Sequence, residues 1–233
     1  DLFFPVMGDG SKFSFSSIKN HPCYKFIDNH EEMNYVLSGG SEGKQPKDLF
    51  KLYMDEGYAF MRNSWDYKDN RDDITYVSFN AGYKLKNHKH GDDLSFTMFS
   101  KGKDIFVDCG TFTYQAGEFR THFMSALSHN TVIVDGKSYP FIQGDPQHTG
   151  IIAYGEEEQY RYVVGKNDLN PGVDITRSLY FLDSGNVILV DDVYSKESHT
   201  YSQLFHLSHR LDTNKIKCGK DKVQVLDKDV TVT

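Results

Sequence analysis

The sequence predicts a mainly β protein: an antiparallel, multi-stranded β-sandwich of stacked sheets, preceded by a short mixed segment with helical parts. From residue 57 onward, apolar runs with strand-like alternation recur about every 8 to 15 residues and are separated by turn sequences. The chain is rich in aromatic residues, with 15 Tyr and 17 Phe, and it contains only 6 Pro. This composition is typical of a packed, β-rich globular protein and argues against disorder.

Residues 1–55 form the first predicted region, which we expect to be a junction segment. Helix-like patterns occur around "SSIKNHPCYKFIDNH" and "PKDLFKLYMDEG". Between them, "LSGGSEGKQPKD" is rich in glycine and polar residues and predicts an exposed loop or linker.

Residues 56–233 form the second predicted region, the β-sandwich domain. The alternation in "LSFTMFSK" places Leu94, Phe96 and Met98 on one face of a strand. The stretches "SKGKD" and "DSGN" predict hairpin turns. The expected strands are "YAFMRNSW", "ITYVSFNAG", "LSFTMFSK", "DIFVDCG", "NTVIVDG", "GIIAYGEE", "QYRYVVGKN", "VDITRSLYFLD", "NVILVDDVY", "TYSQLFHLS" and "KVQVLD".

Bulk properties exclude several functional classes. No apolar run approaches the roughly 20 residues of a membrane helix, and a formal charge of -7 argues against a general nucleic-acid binder. We therefore expect neither a membrane nor a nucleic-acid partner. Cys23, Cys109 and Cys218 are odd in number and lack CxxC spacing, which argues against a disulfide framework or a Cys-type zinc module. We expect Cys109 to be a small buried hydrophobic residue.

Both ends of the sequence predict a piece of a longer protein. The chain begins "DLFFPVMGDG", without an initiator Met or a signal peptide. It stops at "DKDVTVT", within an alternating pattern. We expect an excised or processed form whose β-sandwich domain is truncated at its C-terminus.

A histidine pair stands at the entrance of the first hairpin, in "NHKHGDDLSF". On a strand, His88 and His90 would point to the same face, so their imidazoles could converge. Two histidines and a carboxylate suit zinc, but the spacing alone leaves open that these are ordinary loop histidines in a chain that holds ten. Further ligands could come from Asp92, Asp93, Asp108 and His129, although an acidic pair such as 92–93 is also typical of a turn or cap.

Basic residues near the hairpin favour an anionic ligand. They equally fit solvation of a loop and protection of a sheet edge. Tyr114 is likewise open to a second interpretation, as a core aromatic with its hydroxyl at the rim. The basic residues are Lys84, Lys86, Lys89, Lys101, Lys103 and Arg120.

A long ordered block resembles the central part of the heparinase II/III-like polysaccharide lyases. The block runs "HKHGDDLSFTMFSKGKDIFVDCGTFTY" and continues with "FRTHFMSALSHNTVIVDG"; near the N-terminus, "PVMGDG" looks like the family's junction between its helical and β domains. The matching residues are His88, His90, Asp92 (or Asp93), Ser95, Phe96, Asp108, Gly110, Thr111, Tyr114, Arg120, His129, Asn130, Thr131, Asp135 and Gly136.

This resemblance implies a role for individual residues. His88 matches the family's histidine at the catalytic centre, and Tyr114 a tyrosine that lines the substrate cleft; we expect both to be catalytic. His90, Asp108 and His129 match its metal ligands, usually for zinc in a structural role. One structural zinc per chain is therefore expected, with calcium or another divalent ion as the less favoured alternative.

The resemblance also implies a larger enzyme. Such lyases pair an N-terminal incomplete α/α toroid with a C-terminal β-sandwich, and their active site lies in the cleft between them. The family's main acid/base tyrosine sits in the toroid, which this chain lacks. Residues 1–55 would then be a remnant of the toroid or the linker from it. The chain alone is expected to be inactive and to need that toroid as its partner.

The implied reaction is β-elimination on a uronate-containing polysaccharide such as a glycosaminoglycan or alginate. The enzyme would remove the C5 proton beside a charged carboxylate, so it must neutralise that carboxylate. His88 would serve as the base or as the neutralising group, and Arg120 and Lys89 would bind the uronate. The implied compartment is the periplasm or exterior of a bacterium.

Two alternatives from other classes remain open. The chain could be a non-catalytic carbohydrate-binding β-sandwich module in which the His/Asp cluster is only a metal staple. Retention of His88, which the metal set does not need, favours the lyase. A metal-dependent hydrolase is less favoured, because no second acidic ligand cluster is evident.

Overall fold

The computed structural model describes residues 6–10, 14–82, 88–140, 148–212, 216–218 and 223–225. Its helices are α1 Phe15–Ile18, α2 His30–Leu37 and α3 Glu118–Met124, with 3-10 turns at Pro22–Phe26, Arg71–Asp73 and Ala126–Ser128. Its strands are β1 Phe50–Tyr53, β2 Tyr58–Arg62, β3 Thr75–Asn80, β4 Ser95–Ser100, β5 Lys103–Phe106, β6 Val132–Val134, β7 Thr149–Glu156, β8 Tyr160–Asn167, β9 Val173–Leu182, β10 Val187–Ser195, β11 Tyr201–Gln203, β12 Ile216–Cys218 and β13 Val223–Val225.

The first sheet is a five-stranded antiparallel meander in the order β1-β2-β3-β4-β5. Its last hairpin turns through two residues, since Ser100 pairs with Lys103. Lys101 and Gly102 both have positive φ, 51° and 74°, as a type I′ hairpin turn requires. The hairpin predicted at "SKGKD" is thus confirmed.

The second sheet has four antiparallel strands in the order β10-β9-β8-β7. Its longest pairing joins β9 to β10, from Val187↔Phe181 to Ser195↔Val173. Gly185 takes φ 84° in the connecting turn, so the hairpin predicted at "DSGN" is also confirmed. Two short pairs, β11-β6 and β12-β13, complete the sheets of the described residues.

One hydrophobic core lies between the two main sheets. Its buried members include Phe79 and Leu94 from the first sheet and its entrance, and Val163 and Leu179 from the second. The sheets pack tightly at Gly165 of β8, where a Cβ atom would lie 2.6 Å from Leu94 Cδ2 and 2.9 Å from Phe79 Cζ. Two antiparallel sheets that share one core form a β-sandwich, and the predicted fold class is confirmed.

Most elements agree with the sequence-based expectations, but several do not. Each strand predicted from residue 57 onward overlaps an observed strand. The helix predicted around "FKLY" is wrong. These residues form β1, because pairing with β2, such as Phe50↔Met61, overrides the helix-like pattern of the local sequence. Helices α2 and α3 and strand β12 were not predicted. Cys109, predicted to be buried, is exposed, since the chain leaves the sheet after Phe106.

The division of the chain at residue 55 stays a prediction, although β1 lies within the segment assigned to the junction. The expected strand in "DKDVTVT" falls outside the described residues. Among the residues that are described, no helix is long and apolar enough to cross a membrane.

A buried arginine ties the second sheet to the site region. Arg177 of β9 is fully buried and binds Asp191 of β10 through Nε and Nη2, at 2.7 and 2.8 Å. Its Nη1 donates to the carbonyls of Leu94 at 2.7 Å and Asn130 at 2.5 Å. These two carbonyls belong to segments on either side of the β4-β5 hairpin, so one side chain orders both.

We expect Arg177→Ala to lower the free energy of unfolding by about 3–5 kcal/mol, because it leaves the Asp191 carboxylate buried without its cation. Urea denaturation measures this change. Arg161→Ala is the matched control, since Arg161 pairs with the half-exposed Asp183, and it should cost less than about 1 kcal/mol. Equal losses in the two variants would contradict the role given to Arg177.

Candidate functional site

A single carboxylate near the N-terminus gathers most of the residues singled out by the sequence. Asp9 lies in a turn closed by the Gly10 amide, which donates to the Met7 carbonyl at 2.9 Å. Its side chain is 12% exposed. The groups that donate to its two oxygens are His88 Nδ1, His90 Nε2 at 3.3 Å, Thr111 Oγ1 at 2.5 Å, Tyr114 OH at 2.8 Å and Arg120 Nη1 at 3.3 Å.

Glycines allow the segment that carries Asp9 to approach the β-sandwich closely. Gly8 has φ 52°, and a Cβ atom there would lie 2.6 Å from Asp92 Oδ2. At Gly110, on the loop after β5, a Cβ atom would lie 2.4 Å from Val6 Cγ1. The Thr111 amide also donates to the Gly10 carbonyl, at 3.3 Å. Residues 6–10 are therefore packed directly against the loop that supplies two of the Asp9 contacts.

The surroundings of Asp9 keep it ionised. Burial raises its pKa, but the hydrogen bonds from Thr111, Tyr114, His88 and Arg120 outweigh that effect and hold the pKa well below its usual range. An ionised carboxylate only accepts hydrogen bonds. Each imidazole nitrogen that faces Asp9 must therefore carry a proton.

His88, Tyr114 and Arg120 form an open cluster on the outer side of Asp9. The His88 and Tyr114 rings meet edge to face with centroids 6.1 Å apart, and the Arg120 guanidinium lies 4.9 Å from the Tyr114 ring centre. The His88 and Tyr114 side chains are largely exposed, His88 by 63%. Hydrogen bonding to Asp9 is the main cause that raises the pKa of Tyr114. Three of the four predicted catalytic and substrate-binding residues thus lie together.

The predicted convergence of His88 and His90 occurs, but for a different reason. Residues 88–90 are not part of a strand, and His88 has a positive φ of 70°. The two imidazoles meet at the Asp9 carboxylate and not on one strand face. Sequence reasoning did not assign Asp9 to the site, since it precedes the histidines by about 80 residues; its only signal was its place in the family-like "PVMGDG".

Behind this cluster lies a buried pair of histidines. The His90 and His129 side chains are both fully buried, with ring centroids 5.3 Å apart. His129 Nδ1 donates to Asp108 Oδ2 at 2.7 Å, and Asp108 Oδ1 accepts from the Gly110 amide at 2.9 Å. The three predicted metal ligands therefore lie close together.

The fit of this group to a metal ion is partial. His90 Nδ1 and His129 Nε2 are buried and have no hydrogen-bond partner among the described residues. Two imidazoles on one tetrahedral zinc have ring centres about 5 Å apart, so the ring separation suits a shared ion. Within the part of the chain that the structure describes, however, no three or more His, Cys, Asp or Glu side chains form a group that could hold a metal.

Asp108 contacts the side of His129 that faces away from the unpartnered nitrogen. A carboxylate in this position fixes the tautomer and the orientation of a metal-binding histidine. The assignment of Asp108 as a direct ligand, and of zinc as the ion, stays a prediction.

Lys89, predicted to bind substrate, makes its hydrogen bonds inside the protein. Its ammonium group is nearly buried and donates to Asp92 Oδ1 at 2.9 Å, Asp93 Oδ1 at 3.0 Å and the Gly82 carbonyl at 3.0 Å. Burial lowers its pKa, but the two carboxylates outweigh this and raise it. All three hydrogens of the ammonium are donated inside the protein, which gives no support to substrate binding by Lys89; that role stays a prediction.

The two acidic partners of Lys89 anchor the histidine loop to both sheets. Asp92 Oδ2 accepts from Asn80 of β3 at 2.7 Å. Asp93 accepts from Tyr139 OH at 2.9 Å and from Thr149 Oγ1, on β7, at 3.0 Å. They serve the fold as an internal ion cluster with Lys89, and neither contacts the histidine pair directly in the described hydrogen bonds.

Two of the remaining predicted lysines, Lys84 and Lys86, lie outside the described residues. Lys101 pairs with Asp73 at 2.5 Å, at the turn of the β4-β5 hairpin. The basic cluster inferred from the sequence is therefore represented at the site by Arg120 alone among these described residues.

Comparison with known proteins adds a family-level finding. A protein-family sequence model described as "Heparinase II/III-like, C-terminal" matches residues 45–230 of this chain. A heparin-sulfate lyase of Bacteroides stercoris is 25% identical over 185 residues, covering 77% of this chain and 26% of that protein. A heparin-sulfate lyase of Bacteroides thetaiotaomicron is 23% identical over 224 residues, covering 89% of this chain and 31% of that protein. The chain thus spans about a quarter to a third of these curated relatives.

Solved structures agree at the level of the fold. A heparinase III crystal structure matches with a TM-score of 0.79 at 21% identity, covering 96% of this chain and 35% of that one. A heparan sulfate lyase of Pedobacter heparinus matches with a TM-score of 0.76 at 19% identity, covering 97% of this chain and 34% of that one.

We expect Lys89→Met to lower the free energy of unfolding by about 3–5 kcal/mol, because Asp92 and Asp93 would remain buried without their cation. Lys137→Met is the matched control at an exposed lysine, and it should change the value by no more than about 0.5 kcal/mol. Urea denaturation of both variants decides the matter. A Lys89→Met chain as stable as the control would instead favour the predicted ligand-binding role of Lys89.

Proposed function

Because this chain belongs to the heparinase II/III-like family, we propose that it is the β-sandwich domain of a polysaccharide lyase that cleaves uronate-containing polysaccharide by β-elimination. The observation that carries the proposal is the open cluster of His88, Tyr114 and Arg120. The curated relatives are heparin-sulfate lyases. Heparan sulfate and heparin are therefore the first substrates to test.

The reaction breaks one C–O bond without water. A base removes the proton on C5 of the uronate, and the electrons of that C–H bond form a double bond between C4 and C5. The bond from C4 to the glycosidic oxygen breaks, and the leaving oxygen takes up a proton. Negative charge builds up on the uronate carboxylate during this step, so fixed donors near that group lower the barrier.

The cluster offers a group for each of these tasks. His88 presents an exposed imidazole that can accept the C5 proton. Tyr114 carries a hydroxyl that can return a proton to the leaving oxygen. Arg120, whose side chain is mostly buried beside Tyr114, has a planar guanidinium suited to the uronate carboxylate.

We propose that the rest of the active site comes from an N-terminal α/α toroid of the same protein. The relatives extend well beyond the region that this chain matches, and the open cluster leaves one side for a facing wall. The isolated chain is then inactive. A polymer substrate of this size also favours a periplasmic or extracellular location in a bacterium.

We further propose that His90 and His129 hold one structural zinc ion, with Asp108 in the same site. The support is the pair of buried, unpartnered imidazole nitrogens. The ion would stabilise the loop that follows His88 and takes no part in the proton transfers, which belong to His88 and Tyr114.

In the full-length protein that contains this domain, we expect His88→Ala to lower kcat/KM for heparan sulfate by about 100- to 10,000-fold, the range for loss of a general acid or base. The assay follows the ultraviolet absorbance of the C4–C5 double bond. His148→Ala, which removes a partly exposed histidine paired with Asp168, should leave the rate unchanged. An unmutated protein that binds these polymers without forming unsaturated product would favour a non-catalytic carbohydrate-binding module instead.

Metal analysis of the purified chain, prepared without chelators, should find about one zinc per chain. His129→Ala should lose the metal, because it removes one of the two buried nitrogens, whereas His88→Ala should keep it. Mass spectrometry of the native chain or elemental analysis gives the count. A metal-free unmutated chain would contradict the metal proposal while leaving the lyase proposal standing.

A further inference from the structure

We propose that Asp9 and His88 form a carboxylate–imidazole dyad in which Asp9 is a positioning residue: it fixes the His88 ring so that Nε2 is the proton-accepting atom. Nothing in the sequence motifs assigns this role to Asp9. The catalytic meaning of the dyad rests on the proposed lyase function, but its geometry does not.

The contact with Asp9 decides which ring nitrogen of His88 carries the hydrogen. Asp9 Oδ2 contacts His88 Nδ1, and an ionised carboxylate can only accept. The hydrogen on Nδ1 therefore points to Asp9. In the neutral ring, Nε2 then has no hydrogen and keeps its lone pair. That nitrogen lies on the opposite side of a largely exposed imidazole, where a substrate proton can reach it.

The backbone of His88 is held in an uncommon conformation. Its backbone has a φ of 70°, a region that non-glycine residues rarely adopt. The next residue, Lys89, holds this backbone in place through its buried ammonium, which binds Asp92 and Asp93. The main chain of His88 is thus held by the ion cluster of Lys89, while the less exposed Asp9 holds the ring through Nδ1.

Asp9 is itself held in place by neighbouring residues. Thr111 and Tyr114 donate to its oxygens at 2.5 and 2.8 Å, so the carboxylate is held by groups other than the histidine. The segment also packs closely against the loop after β5, since a Cβ atom on Gly110 would lie 2.4 Å from Val6 Cγ1 and 2.8 Å from the Gly10 carbonyl oxygen. Asp9 is therefore a fixed acceptor, built into the junction segment and aimed at the β-sandwich.

The negative charge of Asp9 has a positive partner in Arg120. An unpaired carboxylate beside the base would repel a polyanionic substrate. Arg120 Nη1 lies 3.3 Å from Asp9 Oδ1, and its positive charge compensates the carboxylate. The dyad can consequently work beside a uronate, and part of the charge of Arg120 is already committed to Asp9.

The test begins with the unmutated chain. Nitrogen-15 NMR of the imidazole groups, with His88 identified by its absence in His88→Gln, reports which ring nitrogen carries the proton in the neutral form. We expect the Nδ1–H tautomer for His88. An Nε2–H tautomer, or rapid exchange between both, would overturn the proposal without any variant at Asp9 having to fold.

The second measurement uses Asp9→Asn, whose amide is similar in size but can donate to Nδ1. We expect the Nδ1–H signature of His88 to be lost and kcat of the full-length lyase to fall roughly 10- to 100-fold, with KM little changed. Asp168→Asn is the matched control, since Asp168 contacts His148 Nδ1 at 2.7 Å away from the cluster; it should change neither kcat nor the His88 spectrum.

The outcomes separate the two proposals. A full-length protein without lyase activity refutes the proposed function, while the tautomer measurement still decides the dyad. An active protein in which Asp9→Asn keeps both kcat and the Nδ1–H signature overturns the dyad and leaves the lyase intact. Thermal unfolding of each variant shows whether a change in kcat accompanies a loss of fold.

Discussion

The buried ammonium of Lys89 is the interaction on which the site depends. It lies between the two histidines in sequence and is held by Asp92, Asp93 and the Gly82 carbonyl. Because such a cation is costly to bury without close carboxylates, the loop has one favourable arrangement. Through Asp93 that arrangement also reaches Thr149 on the second sheet. This internal ion cluster holds the backbone from which both flanking imidazoles extend, and Asp9 contacts the two rings.

Two histidines of the site are each held by a carboxylate through Nδ1, one in the interior and one near the surface. Asp108 binds Nδ1 of the fully buried His129, while Asp9 binds the exposed His88 and also reaches His90. In the interior, burial lowers the pKa of His90, whereas the contact with Asp108 outweighs burial and raises that of His129. The same pairing therefore orders a buried pair of rings on one side and presents a reactive ring on the other.

The sequence predicted the sheets well because alternation and turn residues are local signals. "SKGKD" and "DSGN" carry the residues that hairpin turns require, and both hairpins occur. The helix prediction at "FKLY" was wrong because the strand conformation of these residues comes from pairing with β2, which is not a local signal. The burial of Lys89 was missed for a related reason: as a lysine in a loop beside an acidic pair, it looks the same in sequence whether its ammonium meets solvent or those two carboxylates.

Asp9 could not be assigned to the site from local sequence patterns, because it contacts residues about 80 to 110 positions away along the chain. His88 and Tyr114 are both largely exposed on one side of Asp9. In water, their hydrogen bonds to a substrate would compete with solvent, and the stabilisation of a developing charge is strongest where water is excluded. Among the described residues, the β-sandwich supplies oriented groups whose outer side is exposed. For the proposed elimination, a surface that excludes water from His88 and Tyr114 would strengthen the interactions of both groups with a uronate.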